Sequence, residues 1–453
     1  MTPLTSPHVT ANSFLTTTTT TTTSRSSTTT DEPESVLIYF ITGNPGLISY
    51  YHVYLSLLSS ELSSGTCTDV DDGSAHDVDG SGSASNIIPQ FIIHGKSMGG
   101  FEIIESEHSM SDVNGRAQAQ VQVHPRAAAA AMNTKLYNLS EQIEHVERNL
   151  NDFVDAWRAK MEQGQETDSS ISSVQEEERR WRRGVNVILI GHSVGAYVAM
   201  ELIRRHREKR SGRMTTSSSS AGWSEGESES GNGNDGAMDI IGGILLFPTV
   251  VDIAKSSSGR KLTRLLYIPY LAFLASLLIK LLVFILPESW LRSVVGMVMG
   301  SPPGNAVDTT VEFLRSRRGV EQAIHMAADE MREITSDKWS DEIWGIASSS
   351  PASSSTPTST TASAPAKVPL NLMLYFAQQD HWVAGQSRDD IIRARGGMEK
   401  GEGGNGPRMQ VCEDGVVHGF CIRHSDIMAK KTATWVRDII RGRQYGRRFT
   451  TTA

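Results

Sequence analysis

Residues 185–205 read VNVILIGHSVGAYVAMELIRR and contain an apolar, β-branched run, a Gly-x-Ser-x-Gly pentapeptide and a stretch with helical character. A strand, this tight turn and a helix in succession are typical of a nucleophile elbow, in which the turn lifts a serine hydroxyl out of the sheet. The small residues Gly191 and Gly195 allow the chain to turn sharply. The pattern predicts Ser193 as a candidate nucleophile, with an ordinary turn serine as the alternative.

Two other serines have flanking glycines at the same spacing, which is expected by chance in a chain rich in Ser and Gly. Ser224 lies in a polar tract without a preceding strand, so it is not predicted to form an elbow. Ser97 follows a predicted strand, but the residues beyond 105 are mostly polar and do not continue as a helix. The flanking sequences therefore favour Ser193.

Long polar tracts interrupt the apolar segments of this 453-residue chain, in which only 38% of the residues are hydrophobic. Tracts dominated by Ser, Thr, Gly and acidic residues cannot bury enough apolar surface to offset their chain entropy. We expect them to be disordered insertions between the elements of one core. They are 63–86, 162–178, 211–237, 347–366 and 396–409, in addition to an N-terminal segment at 1–34.

Charge and cysteine content exclude several classes of function. The net charge is −8, and no basic stripe with interleaved aromatic residues is present, so nucleic-acid binding is not expected. Cys67, Cys412 and Cys421 are odd in number and lack the spacing of a metal site. The sequence therefore predicts a reducing compartment, with no disulfide framework, no metal and no cofactor. No secretory signal is expected either.

The remaining segments alternate between strand and helix patterns. Apolar strands that alternate with helices predict an α/β fold, with a mostly parallel central sheet and helices on both faces. Ligands of such sheets lie at the carboxyl ends of the strands, where Ser193 is placed. The predicted strands are 36–41, 87–94, 185–190, 239–247, 370–376 and 409–412, and the predicted helices are 51–62, 139–160, 196–205 and 422–441.

A serine nucleophile needs a base, and the base needs an orienting acid. Asp380 lies on the loop after the strand at 370–376, whereas Asp389 and Asp390 lie a helical turn or more beyond it. For the base, His418 follows the last predicted strand and precedes a small residue; His424 is the alternative. These positions reproduce the chain order Ser, Asp, His of this architecture.

The elbow also contains His192, which is expected to pack in the interior, pointing away from the hydroxyl. An oxyanion hole needs two backbone N–H groups. Val194 follows the nucleophile and is predicted to supply one of them. The other is predicted to come from Asn44, in the loop 42–46 after the first core strand, because Pro45 has no N–H.

Six blocks of this sequence resemble the lipid droplet-associated hydrolase family, a branch of the α/β-hydrolases, and they occur in the family's order. The resemblance implies an α/β-hydrolase fold in which Ser193, Asp380 and His418 are the catalytic residues. It also implies that the strand ending at Gly95 is the second core strand, which excludes Ser97 as the nucleophile. The blocks are Ile41–Gly46 with Tyr50 and Tyr51, Leu139–His145, Gly191–Tyr197, Leu246–Ala254, Asp380–Trp382 and His418–Cys421.

The segment 265–286 is almost wholly apolar and is close to the ~20 residues that cross a bilayer. A single crossing is excluded, because it would place strands of one sheet on opposite sides of the membrane. A buried lid helix and a shallow insertion into a lipid monolayer remain as predictions. For the insertion, Trp290 is placed to reach the interface, and Arg260, Lys261 and Arg264 to meet anionic head groups.

Together these patterns predict a serine hydrolase that cleaves carboxylic esters of lipids through Ser193, Asp380 and His418. The resemblance implies sterol esters or neutral acylglycerols as substrates, and the lipid droplet, with the cytosolic face of the endoplasmic reticulum, as the location. A lipid-storage protein with a vestigial triad and an acyltransferase are the alternatives. The predicted organisation is a disordered tail (1–34), a first core part (35–256), an apolar helical cap and membrane-association segment (257–346), a disordered linker (347–366), a second core part (367–443) and a tail (444–453).

Overall fold

The apolar run Val185–Ile190 lies in the interior of a sheet, and every side chain of its strand is buried. A strand that is buried on both faces needs a paired strand on each edge and a helical layer above and below. The structure is a computed structural model. It describes residues 6–18, 35–64, 89–103, 135–163, 184–217, 238–266, 268, 270–346, 370–396 and 406–451.

The described strands form one eight-stranded sheet. They are β1 (His8–Thr10), β2 (Ser13–Thr17), β3 (Ser35–Ile41), β4 (Gln90–Lys96), β5 (Val185–His192), β6 (Met238–Leu246), β7 (Asn371–Phe376) and β8 (Arg408–Val411). Their order across the sheet is β1-β2-β4-β3-β5-β6-β7-β8. Neighbouring strands from β4 to β8 are parallel, and β1 and β2 pair antiparallel at one edge.

Helices cover both faces of the sheet. They are α1 (His52–Ser64), α2 (Leu139–Gln163), α3 (Val194–Ser217), α4 (Ser257–Leu266), α5 (Leu271–Ile285), α6 (Glu288–Val298), α7 (Gly304–Arg315), α8 (Gly319–Glu333), α9 (Gly385–Arg395), α10 (Phe420–Arg423) and α11 (Ser425–Thr451). A 3₁₀ turn at Ile48–Tyr51 precedes α1. The predicted α/β-hydrolase fold, with a mostly parallel sheet between helical layers, is confirmed.

Two apolar cores lie on opposite faces of the sheet because side chains of a strand alternate in direction. In β3, Leu37 and Tyr39 join the core beneath α2 and α3. The intervening Ile38 and Phe40 join the core beneath α1 and α11. The carboxyl ends of the parallel strands therefore meet at one edge of a rigid double layer, and the loops at this edge carry the predicted site.

The prediction of a disordered tail at 1–34 is wrong for residues 8–17. Strands β1 and β2 form a hairpin there, and β2 pairs with β4 along its whole length. Phe14 and Leu15 are buried on opposite sides of β2 and complete different cores. Two adjacent apolar residues in a Thr-rich stretch form no periodic pattern, so composition alone did not reveal the strand.

Other boundaries also differ from the sequence predictions. Helix α3 continues to Ser217, into the predicted insertion 211–237, and α11 continues to Thr451, into the predicted tail. The predicted terminal helix at 422–441 is divided at His424 into α10 and α11. The predicted linker 347–366, and most of the predicted insertions 63–86, 162–178, 211–237 and 396–409, lie outside the described residues.

The helices α4–α8 lie between β6 and β7, which are neighbouring parallel strands. Helix α5 packs with one side against α7 and α8, and Ser276 is its only buried residue. The opposite side, together with α6, forms an outer apolar face. This face consists of Phe273, Leu274, Leu277, Leu278, Leu281, Leu282, Phe284, Ile285, Trp290, Val294, Met297 and Val298, each at least 44% exposed.

Among the described residues, no single helix has the length and apolar composition needed to cross a membrane. The pair α4 and α5 satisfies that criterion only when both helices are counted together, and they are bent by 97° relative to one another.

The N-terminal hairpin is expected to be part of the folding unit. Replacement of the fully buried Leu15 by Ala should lower the free energy of unfolding by about 2–5 kcal/mol, because a cavity forms in the core below β2. Urea unfolding, followed by circular dichroism, measures this change. Replacement of Val9 by Ala is the control, since Val9 is 51% exposed on the neighbouring strand. Equal stabilities of the two variants would contradict the hairpin's place in the core.

Candidate active site

The turn after β5 holds Ser193 in a left-handed backbone conformation, with φ of 55°. Residues other than glycine rarely adopt this conformation, and the close packing of the turn holds Ser193 in it. A β-carbon on Gly191 would overlap the carbonyl oxygen of Gly195, and one on Gly195 would overlap the carbonyl oxygens of Ile41 and Thr42. Gly191 is thus required by the tightness of the turn itself, and Gly195 by the close approach of the start of α3 to the end of β3.

Ser193, His418 and Asp380 form a continuous chain of hydrogen bonds. The Oγ of Ser193 lies 3.0 Å from Nε2 of His418, and Nδ1 of His418 lies 2.8 Å from Oδ2 of Asp380. A carboxylate only accepts hydrogen bonds, so Nδ1 carries the proton, and Nε2 of the neutral ring accepts from the serine hydroxyl. The structure therefore brings together the three side chains that the sequence singles out.

The carboxyl group of Asp380 is held in its ionised form although it is nearly buried. Burial acts to raise its pKa, but the hydrogen bond and the charge of His418 oppose this. The N–H groups of Trp382 and Val383, which donate to Oδ1 at 2.7 and 3.2 Å, act in the same direction as His418. The net result is a pKa below the ordinary value. The loop that follows β7 thus presents a fixed negative charge to the imidazole.

The structure does not bring the alternative residues to Ser193. Nδ1 of His424 is buried and has no partner among the described residues. Asp389 and Asp390 lie on α9, where they form ion pairs with neighbouring arginines. Ser97 is buried and accepts a hydrogen bond from the N–H of Ile48. Ser224 lies outside the described residues.

The loop after β3 lies directly against the elbow. A β-carbon on Gly43 would lie 2.9 Å from Nδ1 of His192 and 3.1 Å from the β-carbon of Ser193, so this backbone passes beside the serine with little room for a side chain. Within the described structure, no acceptor is bound to the N–H of Asn44 or to that of Val194, the first residue of α3. Both predicted donors therefore belong to segments that border Ser193.

The side chain of Asn44 has a role that sequence reasoning missed. Its Nδ2 donates to the carbonyl oxygen of Ala323 at 3.0 Å and to Oε1 of Glu330 at 2.9 Å, both on the cap helix α8. Burial raises the pKa of Glu330 to about 8, although the bond from Asn44 acts in the opposite direction. A largely protonated acid of the cap thus anchors the predicted oxyanion loop, and no local pattern links residues 44 and 330.

Two further contacts join the cap to the loops around the site. The hydroxyl groups of Tyr50 and Thr310 are 2.8 Å apart and link the 3₁₀ turn to α7. The guanidinium of Arg423, just after the His418 loop, donates to the carbonyl oxygens of Met299 and Gly300 at the end of α6. In the part of the chain that the structure describes, no group of three or more His, Cys, Asp or Glu residues could hold a metal ion.

The chain is similar to several known proteins. A lipid droplet-associated hydrolase of Gallus gallus is 24% identical over 259 residues, which span 56% of this chain and 60% of that protein. Among solved structures, DBJA has a TM-score of 0.43 at 10% identity, over 95% of this chain and 96% of its own. The peroxisomal alpha-beta-hydrolase Lpx1 of Saccharomyces cerevisiae has a TM-score of 0.42 at 9% identity, over 98% and 97%. Both structural similarities are distant.

The family described as lipid-droplet associated hydrolase matches residues 34–421. This range includes the elbow, the loop at Asn44, the cap and both Asp380 and His418. With the match extending over most of its length, this chain belongs to the lipid-droplet associated hydrolase family.

Proposed function

We propose that this protein is a serine hydrolase that cleaves carboxylic esters of lipids at a lipid-droplet surface. The observation that carries the proposal is the hydrogen-bonded chain from Asp380 through His418 to Ser193, at a strained turn on the carboxyl edge of the sheet. Family membership supports hydrolysis and the lipid-droplet location. Sterol esters and neutral acylglycerols are the proposed substrates.

The proposed reaction proceeds through an acyl-enzyme. His418 accepts the hydroxyl proton of Ser193 as its oxygen attacks the ester carbonyl carbon, and Asp380 stabilises the resulting imidazolium. The N–H groups of Asn44 and Val194 stabilise the tetrahedral oxyanion. His418 then protonates the departing alcohol. Water, deprotonated by His418, attacks the acyl-serine, releases the fatty acid and restores the serine hydroxyl.

The outer apolar face is proposed to seat the protein on a lipid monolayer. Twelve exposed apolar side chains lie on the consecutive helices α5 and α6, and apolar side chains exposed together in this way mark surfaces that meet lipid or a partner. Trp290 lies within the face, and Arg260, Lys261 and Arg264 are exposed on α4 beside it, where they can meet anionic head groups. A monolayer is favoured because α5 is held to α7 and α8 on its other side.

Replacement of Ser193 by Ala should abolish labelling by a fluorophosphonate probe and lower kcat on a lipid ester by at least about a thousandfold, since the nucleophile is lost. Probe fluorescence on gels and release of fatty acid measure the two effects. The matched control is Ser97→Ala, which removes a buried serine with the same glycine spacing. Labelling that persists in Ser193→Ala and disappears in Ser97→Ala would refute the assignment. Products formed with and without an acceptor alcohol distinguish hydrolysis from acyl transfer.

Replacement of Asp380 by Asn should lower kcat by about 10³- to 10⁴-fold. The Oδ1 of Asn can still accept from Trp382 and Val383, but an amide N–H then faces Nδ1 of His418 and favours the wrong tautomer. Steady-state kinetics on a soluble ester measure the loss. Asp389→Asn, on the exposed surface of α9, is the control and should retain the wild-type rate. Comparable losses in both variants would contradict the role of Asp380.

Charge placed on the outer apolar face should release the protein from lipid. The double variant Leu278→Asp/Phe284→Asp should reduce binding to triacylglycerol droplets coated with phosphatidylcholine by at least about tenfold, because two carboxylates would enter the lipid. Flotation of droplets with the protein measures the bound fraction. Val53→Asp/Met161→Asp is the control, since both residues are exposed apolar side chains outside the cap. Unchanged flotation of the cap variant would contradict the proposed binding surface.

A further inference from the structure

The ring of His192 is hydrogen-bonded through both nitrogens, although the sequence predicts it only as a packing residue. Nε2 lies 2.9 Å from the carbonyl oxygen of His418, and Nδ1 lies 2.7 Å from the hydroxyl oxygen of Tyr51. His192 is buried, and its ring lies against Phe247 and Phe420 in edge-on contacts. The elbow thus contacts the backbone of the proposed base through a side chain adjacent to the nucleophile.

The chemistry of the partners decides the direction of each hydrogen bond. A carbonyl oxygen only accepts, so Nε2 of His192 carries the proton and donates to His418. Nδ1 of a neutral ring then accepts from the hydroxyl of Tyr51. The Tyr51 oxygen in turn accepts from the N–H of Gly43 at 3.1 Å. The bonds therefore run in one direction, from the Gly43 N–H through Tyr51 and His192 to the carbonyl group of His418.

This arrangement requires that the imidazole of His192 stay neutral. Burial lowers the pKa of His192 to about 3, and the charge of the nearby His418 contributes in the same direction. A protonated ring would lose its acceptor at Nδ1 and turn a donor toward Tyr51. The ring therefore keeps both bonds throughout the physiological pH range, including the step in which His418 is an imidazolium.

Three separate segments meet on this one ring. The first is the loop at Gly43, which precedes the proposed oxyanion donor Asn44; the second is the elbow; the third is the loop that carries His418. We propose that His192 and Tyr51 are a positioning pair, which holds the His418 loop and the Gly43 loop in register with Ser193. This inference rests on the proposed function of Ser193, His418 and Asp380.

If His192 and Tyr51 only filled space in the core, side chains of the same shape without hydrogen-bonding groups could replace them. A phenyl ring at residue 192 would keep the contacts with Phe247 and Phe420, but it could neither donate to His418 nor accept from Tyr51. The chain offers a matched comparison at its tyrosines. Tyr51 and Tyr54 are both buried and both lie against Phe40 and Phe420, but the hydroxyl of Tyr54 is bonded to Thr432, on α11.

The test compares Tyr51→Phe with Tyr54→Phe in the full-length protein. Tyr51→Phe removes a buried hydroxyl with two hydrogen bonds and Tyr54→Phe a buried hydroxyl with one, so both variants should have lower melting temperatures, Tyr51→Phe by the larger amount. On a soluble p-nitrophenyl ester, Tyr51→Phe should lower kcat by about tenfold with KM within about twofold of wild type. Tyr54→Phe should retain kcat within about twofold. Equal kcat losses in the two variants would assign the effect to packing and overturn the proposal.

Substitution of the histidine itself provides a second comparison. His192→Phe should lower kcat by about a hundredfold, and His192→Gln, whose amide can donate toward the His418 carbonyl, should recover part of that loss. The rate of fluorophosphonate labelling of Ser193 should follow kcat in all variants. A His192→Phe enzyme with the wild-type rate would overturn the proposal.

Histidine side-chain ¹⁵N–¹H spectra test the arrangement without any turnover. The resonances of His192 are identified as those that disappear in His192→Gln. In the wild-type protein these resonances should be those of a neutral ring protonated at Nε2 from pH 5 to 9. The Nδ1–H resonance of His418 should shift in Tyr51→Phe and stay in place in Tyr54→Phe. Equal behaviour of that resonance in both variants would overturn the positioning role. Absence of Ser193-dependent activity in the wild type, with these spectra as expected, would instead refute the proposed function.

Discussion

The left-handed turn at Ser193 depends on the absence of side chains at Gly191 and Gly195, because a β-carbon at either position would overlap backbone carbonyl oxygens. The turn allows α3 to begin directly against the end of β3. Two backbone hydrogen bonds, from Ser193 N–H to Leu246 and from Thr249 N–H to Ser193, join it to β6 and the chain beyond. The position of the serine hydroxyl thus follows from backbone packing at the centre of the sheet, where little can move.

Burial has opposite consequences for the ionisable groups near this turn. Asp380 stays ionised because His418 and two backbone N–H groups compensate its charge. For His192 and Glu330 burial outweighs the opposing interactions, so both are held in their neutral forms, one as an acceptor for Tyr51 and the other as an acceptor for Asn44. One negative charge is therefore directed at one imidazole. The Asn44 side chain and the His192 ring are instead held by hydrogen bonds between uncharged groups.

The helices between β6 and β7 have different surroundings on their two sides. The inner side supplies the acceptors that hold Asn44, and contacts Tyr50 and Arg423 beside the other loops of the site. The outer side exposes apolar residues of α5 and α6. Because β6 and β7 are parallel neighbours, the chain leaves β6 at the carboxyl edge of the sheet and enters β7 from the amino edge, and the helices in between contact the loops at the carboxyl edge. The surface proposed to contact lipid is thereby coupled to the proposed oxyanion loop through α8, which packs against α5.

Local pattern and chain direction were sufficient to predict the parallel sheet, the elbow at Ser193 and the chain order of Asp380 and His418. These features depend on periodicities of a few residues, and on the rule that parallel strands end at the same edge. The choice between His418 and His424 could not be made from spacing, because both follow the same strand and only packing turns one of them toward Ser193. The strand at residues 13–17 was missed because its two buried residues are recognisable only beside β4.

The sequence by itself therefore determined the fold class, and it predicted the candidate nucleophile and the chain order of its proposed partners, since short segments encode them. Only the tertiary structure decided how the loops are held. The acceptors of the Asn44 side chain lie 279 and 286 residues further along the chain, and the carbonyl that receives the His192 proton lies 226 residues away. Hydrogen bonds over such separations leave no periodic signal, because they exist only once the sheet has brought the loops together.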